Sequence, residues 1–328
     1  MLAQAAEKLA DYSVDQAAIS VSGLSSGGYM AQQYHVAHSR QVMGAGILAA
    51  GPWECAETVL LWFPVVTATQ VCSHYTGSGT PFLGPPDHNE SVAATKRAAE
   101  AGQIDPPEFL AQARVYLFSG SKDSVVPPSI MDELQKYYLA FVPAAQITYV
   151  NTLPAEHAMV TDGWGNACDH LGEPYINDCG YDAAGEMLKF IYGPLHLPAD
   201  PSTVKLLAFD QREFLPAEPI SMADTGYVFV PQECQTVPGC RLHIAFHGCK
   251  QSEQAIGDTF YTHAGYNRWA ATNRIIVLYP QTVRTAIINP DGCWDWYAYT
   301  NGNFAAKSGV QIAAIAKMVT RLSGRKQR

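Results

Sequence analysis

Charge is scarce in this chain of 328 residues: Lys, Arg, Asp and Glu make up 16% of it, against about 25% in a typical soluble domain. The charge that is present leans acidic, with 30 Asp and Glu against 21 Lys and Arg and a formal net charge of −9. That balance excludes nucleic acid and anionic membrane as expected partners, because both need a basic face. No apolar run reaches the roughly 18 residues that a membrane-spanning helix requires. Residues 1–16 show neither the basic nor the apolar region of a signal peptide, so the chain reads as cytosolic or already mature. There is no C-x-x-C pair to suggest zinc or a redox dithiol. No internal repeat is visible, and Gly193 to Pro201 is too short for a flexible interdomain linker. What remains is a globular composition, 48% hydrophobic with 26 Gly and 21 Pro.

The eight cysteines fall as local pairs: Cys55 and Cys72, Cys168 and Cys179, Cys234 and Cys240, Cys249 and Cys293. An even number, local spacing and low charge point to a secreted, disulfide-bonded protein whose signal peptide is absent from the sequence. Nearest-neighbour pairing is the expectation, although spacing alone leaves other connectivities open. Along the chain, strand-like and helix-like segments alternate, the signature of a mostly parallel sheet covered on both faces. Strands are expected at Ala17 to Val21, Met43 to Ala50, Arg114 to Phe118, Ile147 to Val150, Leu206 to Phe209, Gly226 to Val230, Arg241 to Phe246 and Arg274 to Tyr279. Helices are expected at Ser26 to His38, Val92 to Ala101, Pro128 to Phe141, Asp182 to Tyr192 and Val310 to Leu322. Residues 52–90 carry Trp53, Trp62, Phe63, Tyr75 and Phe82 among Gly and Pro without a period, and read as an irregular insertion over the sheet's carboxyl edge.

Gly23-Leu24-Ser25-Ser26-Gly27 lies between the first strand and the first helix. G-x-S-x-G in that setting is a nucleophile elbow, with Ser25 exposed at the turn and glycines where bulkier side chains would clash. A serine hydroxyl needs a base, and the base an orienting acid. Asp123 follows the strong strand Arg114 to Phe118 in a Gly/Ser loop and is the preferred acid over Asp105, Asp132 and Asp162. His157, in the loop after Ile147 to Val150, is the preferred base, giving the chain order Ser, acid, His. His35 and His38 read as packing or surface residues. The oxyanion donors are expected at the N–H of Ser26 and in the loop His247-Gly248-Cys249. That loop normally precedes the nucleophile and here follows it, so the chain reads as an α/β-hydrolase cut open before the nucleophile strand with its first half moved to the end. A metal site at His243, His247 and Cys249 is the weakest reading of those residues.

The set Gly23 to Gly28, His247-Gly248-Cys249-Lys250-Gln251, Asn289 to Trp296 and Pro174 to Asp182 resembles extracellular poly(3-hydroxybutyrate) depolymerases, of the short-chain-length type with the oxyanion loop near the C-terminus. The resemblance spans residues 15–322. It implies a circularly permuted α/β-hydrolase fold with a mostly parallel central sheet and helices on both faces. It implies Ser25, Asp123 and His157 as triad, the Ser26 and Cys249 amides as oxyanion hole, secretion, and hydrolysis of short-side-chain polyhydroxyalkanoate esters without metal or organic cofactor. Many members carry a separate adsorbing domain; residues 1–328 read as a single catalytic domain, expected to be monomeric, with a polyester polymer or oligomer as its partner. An uncharged polyester calls for an apolar groove with few donors and no ionic clamp, for which Leu24, Trp164, Trp294 and Trp296 are the candidate walls. A carboxylesterase or feruloyl-type esterase acting on small or plant-wall esters is the second expectation. A non-catalytic binding protein on the same scaffold is the third.

Overall fold

The computed structural model describes residues 6–58, 63–74, 82–199 and 206–324. Trp62, Tyr75 and Pro201 lie outside the described residues. The centre of the molecule is an eight-stranded sheet in the order β4-β3-β2-β1-β10-β11-β9-β8. Its strands are β1 (Ile19–Leu24), β2 (Val42–Leu48), β3 (Arg114–Phe118), β4 (Ile147–Val150), β8 (Leu206–Asp210), β9 (Thr225–Phe229), β10 (Arg241–Phe246) and β11 (Ile275–Tyr279). From β4 to β11 every neighbouring pair is parallel; β9 alone runs against the rest.

The first half of the chain builds one side of the sheet and the second half builds the other. They join where β1 pairs with β10, Val21 opposite Ile244 and Gly23 opposite Phe246. The strand carrying Ser25 therefore lies beside the strand leading into His247-Gly248-Cys249. The described ends of the chain meet as well: the Tyr12 and Val14 N–H groups both donate to the Leu322 carbonyl, at 3.2 and 3.1 Å. Ends that lie close together are what makes a permuted chain order physically tolerable. This is the circularly permuted α/β-hydrolase arrangement expected above.

Alternation along the strands loads both faces of the sheet. Ile19 and Val21, Leu242 and Ile244, and Ile276 and Leu278 pack toward α1 (Ser26–Ala37), α3 (His88–Glu100), α4 (Pro128–Leu139) and α9 (Val310–Leu322). Leu24, Ala245, Ile275 and Val277 pack toward α5 (Ala183–Tyr192) and α8 (Tyr266–Asn273). In α9 the residues Ile312, Ile315, Val319 and Leu322 recur at helical spacing and are all buried. Asp182 starts α5 by accepting the Gly185 N–H at 2.9 Å.

The structure adds two features that the sequence pattern had not supplied. The 52–90 insertion is not wholly irregular: Pro64–Gln70 forms a helix, α2, with proline in its first turn, and the Cys55–Cys72 disulfide ties down its flanks. Residues 159–178 form a small three-stranded sheet from β5 (Met159–Thr161), β6 (Asn166–Ala167) and β7 (Ile176–Asp178), in the order β5-β7-β6. Strands of two or three residues are too short to show a period. Two short helices, α6 (Glu253–Ile256) and α7 (Thr259–His263), precede α8.

Beneath the elbow lies a buried polar chain. His243 of β10 is hydrogen-bonded through Nδ1 to Ser20 Oγ and through Nε2 to Ser22 Oγ, both at 2.7 Å. Tyr192 and Tyr266 close the two ends, at 2.6 Å to Ser20 and 2.8 Å to Ser22. With both ring nitrogens engaged inside the protein, His243 is no metal ligand. Burial pushes its imidazole down to about 3 from 6.5. Since the folded value lies below the unfolded one, the stability this histidine confers is present above about pH 6.5 and is lost as the pH falls toward 3. In a ¹⁵N NMR titration its ring should stay neutral through about pH 5; a midpoint near 6.5 would show that the chain of hydroxyls is open to water.

Candidate active site

All four strand ends that carry candidate residues point the same way, because the strands are parallel. Ser25 follows β1, the 119–124 loop follows β3, the 151–157 loop follows β4, and His247-Gly248-Cys249 follows β10.

Ser25 sits at φ 57° and ψ −125°, a strained conformation for a residue with a side chain. Its N–H donates to the Leu48 carbonyl of β2 at 2.9 Å, which holds the turn in place. The glycine two residues on is required by packing: a Cβ at Gly27 would overlap the carbonyl oxygens of Phe246 and His247. Helix α1 thus starts hard against the end of β10, and Ser26 is its first residue. The Ser26 N–H belongs to the first turn, where helical N–H groups have no intrahelical acceptor.

His157 Nδ1–H donates to Asp123 Oδ2 at 2.9 Å, and both side chains are buried. The other carboxylate oxygen of Asp123 accepts the N–H groups of Val125 and Val126 at 2.9 and 2.7 Å. The acid and base loops are zipped together by backbone bonds, Ser121 N–H to the Leu153 carbonyl at 2.7 Å and Lys122 N–H to the Ala155 carbonyl at 3.2 Å. Glu156 adds a clamp, one carboxylate oxygen accepting from the Ser124 N–H at 3.2 Å and the His157 N–H at 2.6 Å. No local pattern in the sequence points to that contact. The alternative acids are engaged elsewhere: Asp105 with Lys307, Asp132 with Tyr149, Asp162 with Arg268.

The loop after β10 is held from inside. His247 is fully buried, its Nδ1–H donating to the Gly248 carbonyl at 2.7 Å and its Nε2 accepting from the Thr282 N–H at 3.2 Å. Burial lowers its pKa to about 4, so the ring is a neutral brace. Gln251, also buried, accepts the Gly248 N–H through Oε1 at 2.7 Å. Its Nε2 donates to the Pro174 and Tyr175 carbonyls at 3.0 and 2.9 Å. The Lys250 N–H is given to the Asp291 carbonyl at 2.7 Å. Between these two engaged amides, Cys249 lies in the cavity wall with Ser25 and Ser26, and its disulfide to Cys293 fixes the loop to the 289–297 segment. The other three disulfides, Cys55–Cys72, Cys168–Cys179 and Cys234–Cys240, are the local pairs expected from the sequence.

Ser25, Ser26, His157 and Cys249 share one cavity of about 510 Å³. Among the described residues the Ser25 hydroxyl is not hydrogen-bonded to His157; the two line the same cavity, and such contacts commonly tighten only when substrate is bound. Leu24 and Trp296 line the cavity as expected from the sequence, joined by Tyr29, Val126, Tyr175 and Tyr297. Trp296 stacks on Tyr29 with ring centroids 4.7 Å apart. Trp294 is corrected: it is fully buried against Phe246 and His247, so it supports the wall from beneath. Trp164 is corrected too. It stacks flat on His263 at 4.0 Å, outside the cavity lining. Neither difference is readable from a Trp-rich loop, since wall and underlay alternate only once the loop is folded. Asp295 shapes that loop, its carboxylate accepting N–H groups from Tyr297, Tyr299 and Thr300. Burial raises its pKa. The expected absence of charge does not hold throughout: Lys250 and Asp291, 3.9 Å apart, are part of the wall.

The arrangement is of the kind that acyl transfer uses, with a serine at an elbow, a histidine held by a carboxylate, and Ser26 and Cys249 in one wall. Gln251→Leu keeps volume but releases both the Gly248 amide and the Pro174 and Tyr175 carbonyls. It should lower kcat on p-nitrophenyl butyrate by about ten- to a hundredfold with a much smaller change in KM. Equal kcat for the variant and the wild type would remove Gln251 from the positioning of this loop.

A scan against protein-family models finds no match. The chain is 45% identical over 324 residues to the poly(3-hydroxybutyrate) depolymerase of Delftia acidovorans, an alignment covering 97% of this chain and 62% of that protein. It therefore spans less than two thirds of that relative's length. It is 37% identical over 338 residues to the polyhydroxybutyrate depolymerase of Talaromyces funiculosus, covering 97% of this chain and 93% of that one. The crystal structure of PHB depolymerase from Penicillium funiculosum matches with a TM-score of 0.85 at 36% identity, over 97% of this chain and 100% of the other. A serine-to-alanine variant of PHB depolymerase complexed with an R3HB trimer matches with a TM-score of 0.86 at the same identity and coverage. With this identity over nearly the full length of the Talaromyces relative, the chain belongs to the family of poly(3-hydroxybutyrate) depolymerases.

Proposed function

We propose that this chain hydrolyses the ester bonds of poly(3-hydroxybutyrate) and its oligomers through Ser25, His157 and Asp123. The observation that carries the reading is the convergence of Ser25 and the Asp123-held His157 on a cavity rimmed by exposed aliphatic side chains. Val65, Leu171, Ile287 and Ile288 line it while remaining 47, 44, 92 and 58% exposed. An exposed apolar rim costs solubility and marks a surface meant for a partner. A polyester strand, with methyl groups and ester carbonyls and no charge along its interior, matches it. The solved relative complexed with an R3HB trimer supports the same substrate class.

The reaction runs in two steps. His157 takes the proton of Ser25 Oγ as that oxygen bonds to the ester carbonyl carbon, and the Ser26 and Cys249 N–H groups hold the oxyanion. His157, stabilised as imidazolium by Asp123, passes the proton to the departing alkoxide as the C–O bond breaks. Water then gives its proton to His157 and attacks the acyl-enzyme, releasing the hydroxyacid end and restoring Ser25. The four disulfides support a protein that matures in an oxidising compartment.

Release of soluble 3-hydroxybutyrate monomer and dimer from amorphous polymer should accompany cleavage of p-nitrophenyl butyrate, with methyl ferulate spared. Cleavage of the small esters with polymer untouched would keep the nucleophile and overturn the substrate. Ser25→Ala should lower kcat by at least about 10⁴-fold in a folded protein, and Asp123→Asn by about 10⁴-fold; near-wild-type esterase activity of Ser25→Ala would disprove the nucleophile. Trp296→Ala, which strips one wall of the cavity, should raise KM for soluble oligomers about tenfold and leave kcat within about threefold. A fall in kcat alone would place Trp296 outside substrate binding.

A further inference from the structure

A second cavity, of about 440 Å³, adjoins the catalytic one. The 285–300 segment builds walls for both. Ile287, Trp296 and Tyr297 line the catalytic cavity, Thr285, Tyr299 and Thr300 line the second, and Ile288 lines both. Its opposite wall comes from residues 216–221 and from Val310 at the start of α9. We propose that this cavity is a distal subsite for the same polyester strand whose scissile ester lies at Ser25, the strand crossing the Ile287–Ile288 turn. The inference rests on the ester-hydrolase reading above and extends it from one cavity to two.

Continuity is the first argument. A strand longer than the catalytic cavity must leave it, and Ile288, whose side chain belongs to both linings, is an apolar side chain shared by the two cavities. The crossing point is rigid: Thr285 and Asn289 exchange backbone hydrogen bonds at 2.9 and 3.1 Å, which closes the turn and raises its two isoleucines into solvent. The wall behind is rigid as well. The Tyr299 hydroxyl donates to the Cys293 carbonyl at 2.9 Å and accepts from Gln311 Nε2 at 2.9 Å. A preformed path binds a chain without first having to be ordered.

Chemistry is the second argument. Pro219, Ile220 and Val310 offer apolar surface for methyl and methylene groups. Ser221 Oγ and Thr285 Oγ1, 3.1 Å apart, are hydroxyls of the kind that donate to ester carbonyls. The single charged side chain in the lining is Glu218, an anion, which disfavours the carboxylate end of a chain. The site is therefore matched to interior, uncharged units, and places the terminal carboxylate elsewhere.

The test is a series of soluble 3-hydroxybutyrate oligomers of rising length, run beside p-nitrophenyl butyrate on the wild type, Pro219→Glu and Thr285→Glu. With the subsite present, wild-type kcat/KM keeps rising beyond the trimer. Each variant then lowers the ratio of long-oligomer to p-nitrophenyl butyrate kcat/KM by about tenfold, as expected for loss of one buried ester unit. A wild-type kcat/KM that is flat beyond the trimer overturns the subsite, and does so without any variant. So does an unchanged ratio in the folded variants. Failure of the wild type to cleave either p-nitrophenyl butyrate or the trimer removes the ester-hydrolase reading, and the subsite with it.

Discussion

The parallel pairing of β1 with β10 is the contact on which the site depends. Neither half of the chain holds a complete site. The first half brings Ser25, Asp123 and His157; the second brings the loop that carries Cys249. The pairing sets Gly23 opposite Phe246, so the turn after β1 and the loop after β10 leave the sheet side by side. Backbone approach there is close enough that Gly27 has no room for a Cβ between its own helix and the Phe246 and His247 carbonyls. A glycine in the elbow and a strand far down the chain are thus parts of one constraint.

Around that contact, each of these residues is held by more than its own loop. The Asp123 and His157 loops hold one another through backbone bonds and through the Glu156 carboxylate. The amide loop is held by Gln251, by the neutral His247 ring and by the Cys249–Cys293 bridge. Rigid support matters because oxyanion donors act by being fixed before charge develops, and a donor that must first move loses that advantage. The φ of +57° at Ser25 is affordable only in such surroundings.

Scarcity of charge and the character of the cavity belong together. The aliphatic rim at Val65, Leu171, Ile287 and Ile288 suits an uncharged substrate such as the polyester proposed above. The two ionic groups in the wall, Lys250 and Asp291, are close enough to offset one another, so they add little net charge to the cavity.

By itself the sequence determined the alternation of strands and helices, the elbow at Ser25 and the order of Ser25, Asp123 and His157, while local cysteine spacing favoured, without deciding, the pairing that the structure shows. These were legible because each is a local signal: a period, a turn chemistry, a position just after a strand. Even the permutation could be read, since it follows from the order of motifs along the chain. Tertiary structure decided what depends on residues distant in sequence. It showed Glu156 and Gln251 bridging loops, as hydrogen bonds between loops leave no periodic trace. It sent Trp294 into the core and Trp296 to the cavity, a division two residues wide that only the turn around Asp295 creates. It also formed α2 and the small sheet, elements too short to carry a pattern, and it set two cavities against the shared side chain of Ile288, because a cavity exists only between surfaces that folding brings together.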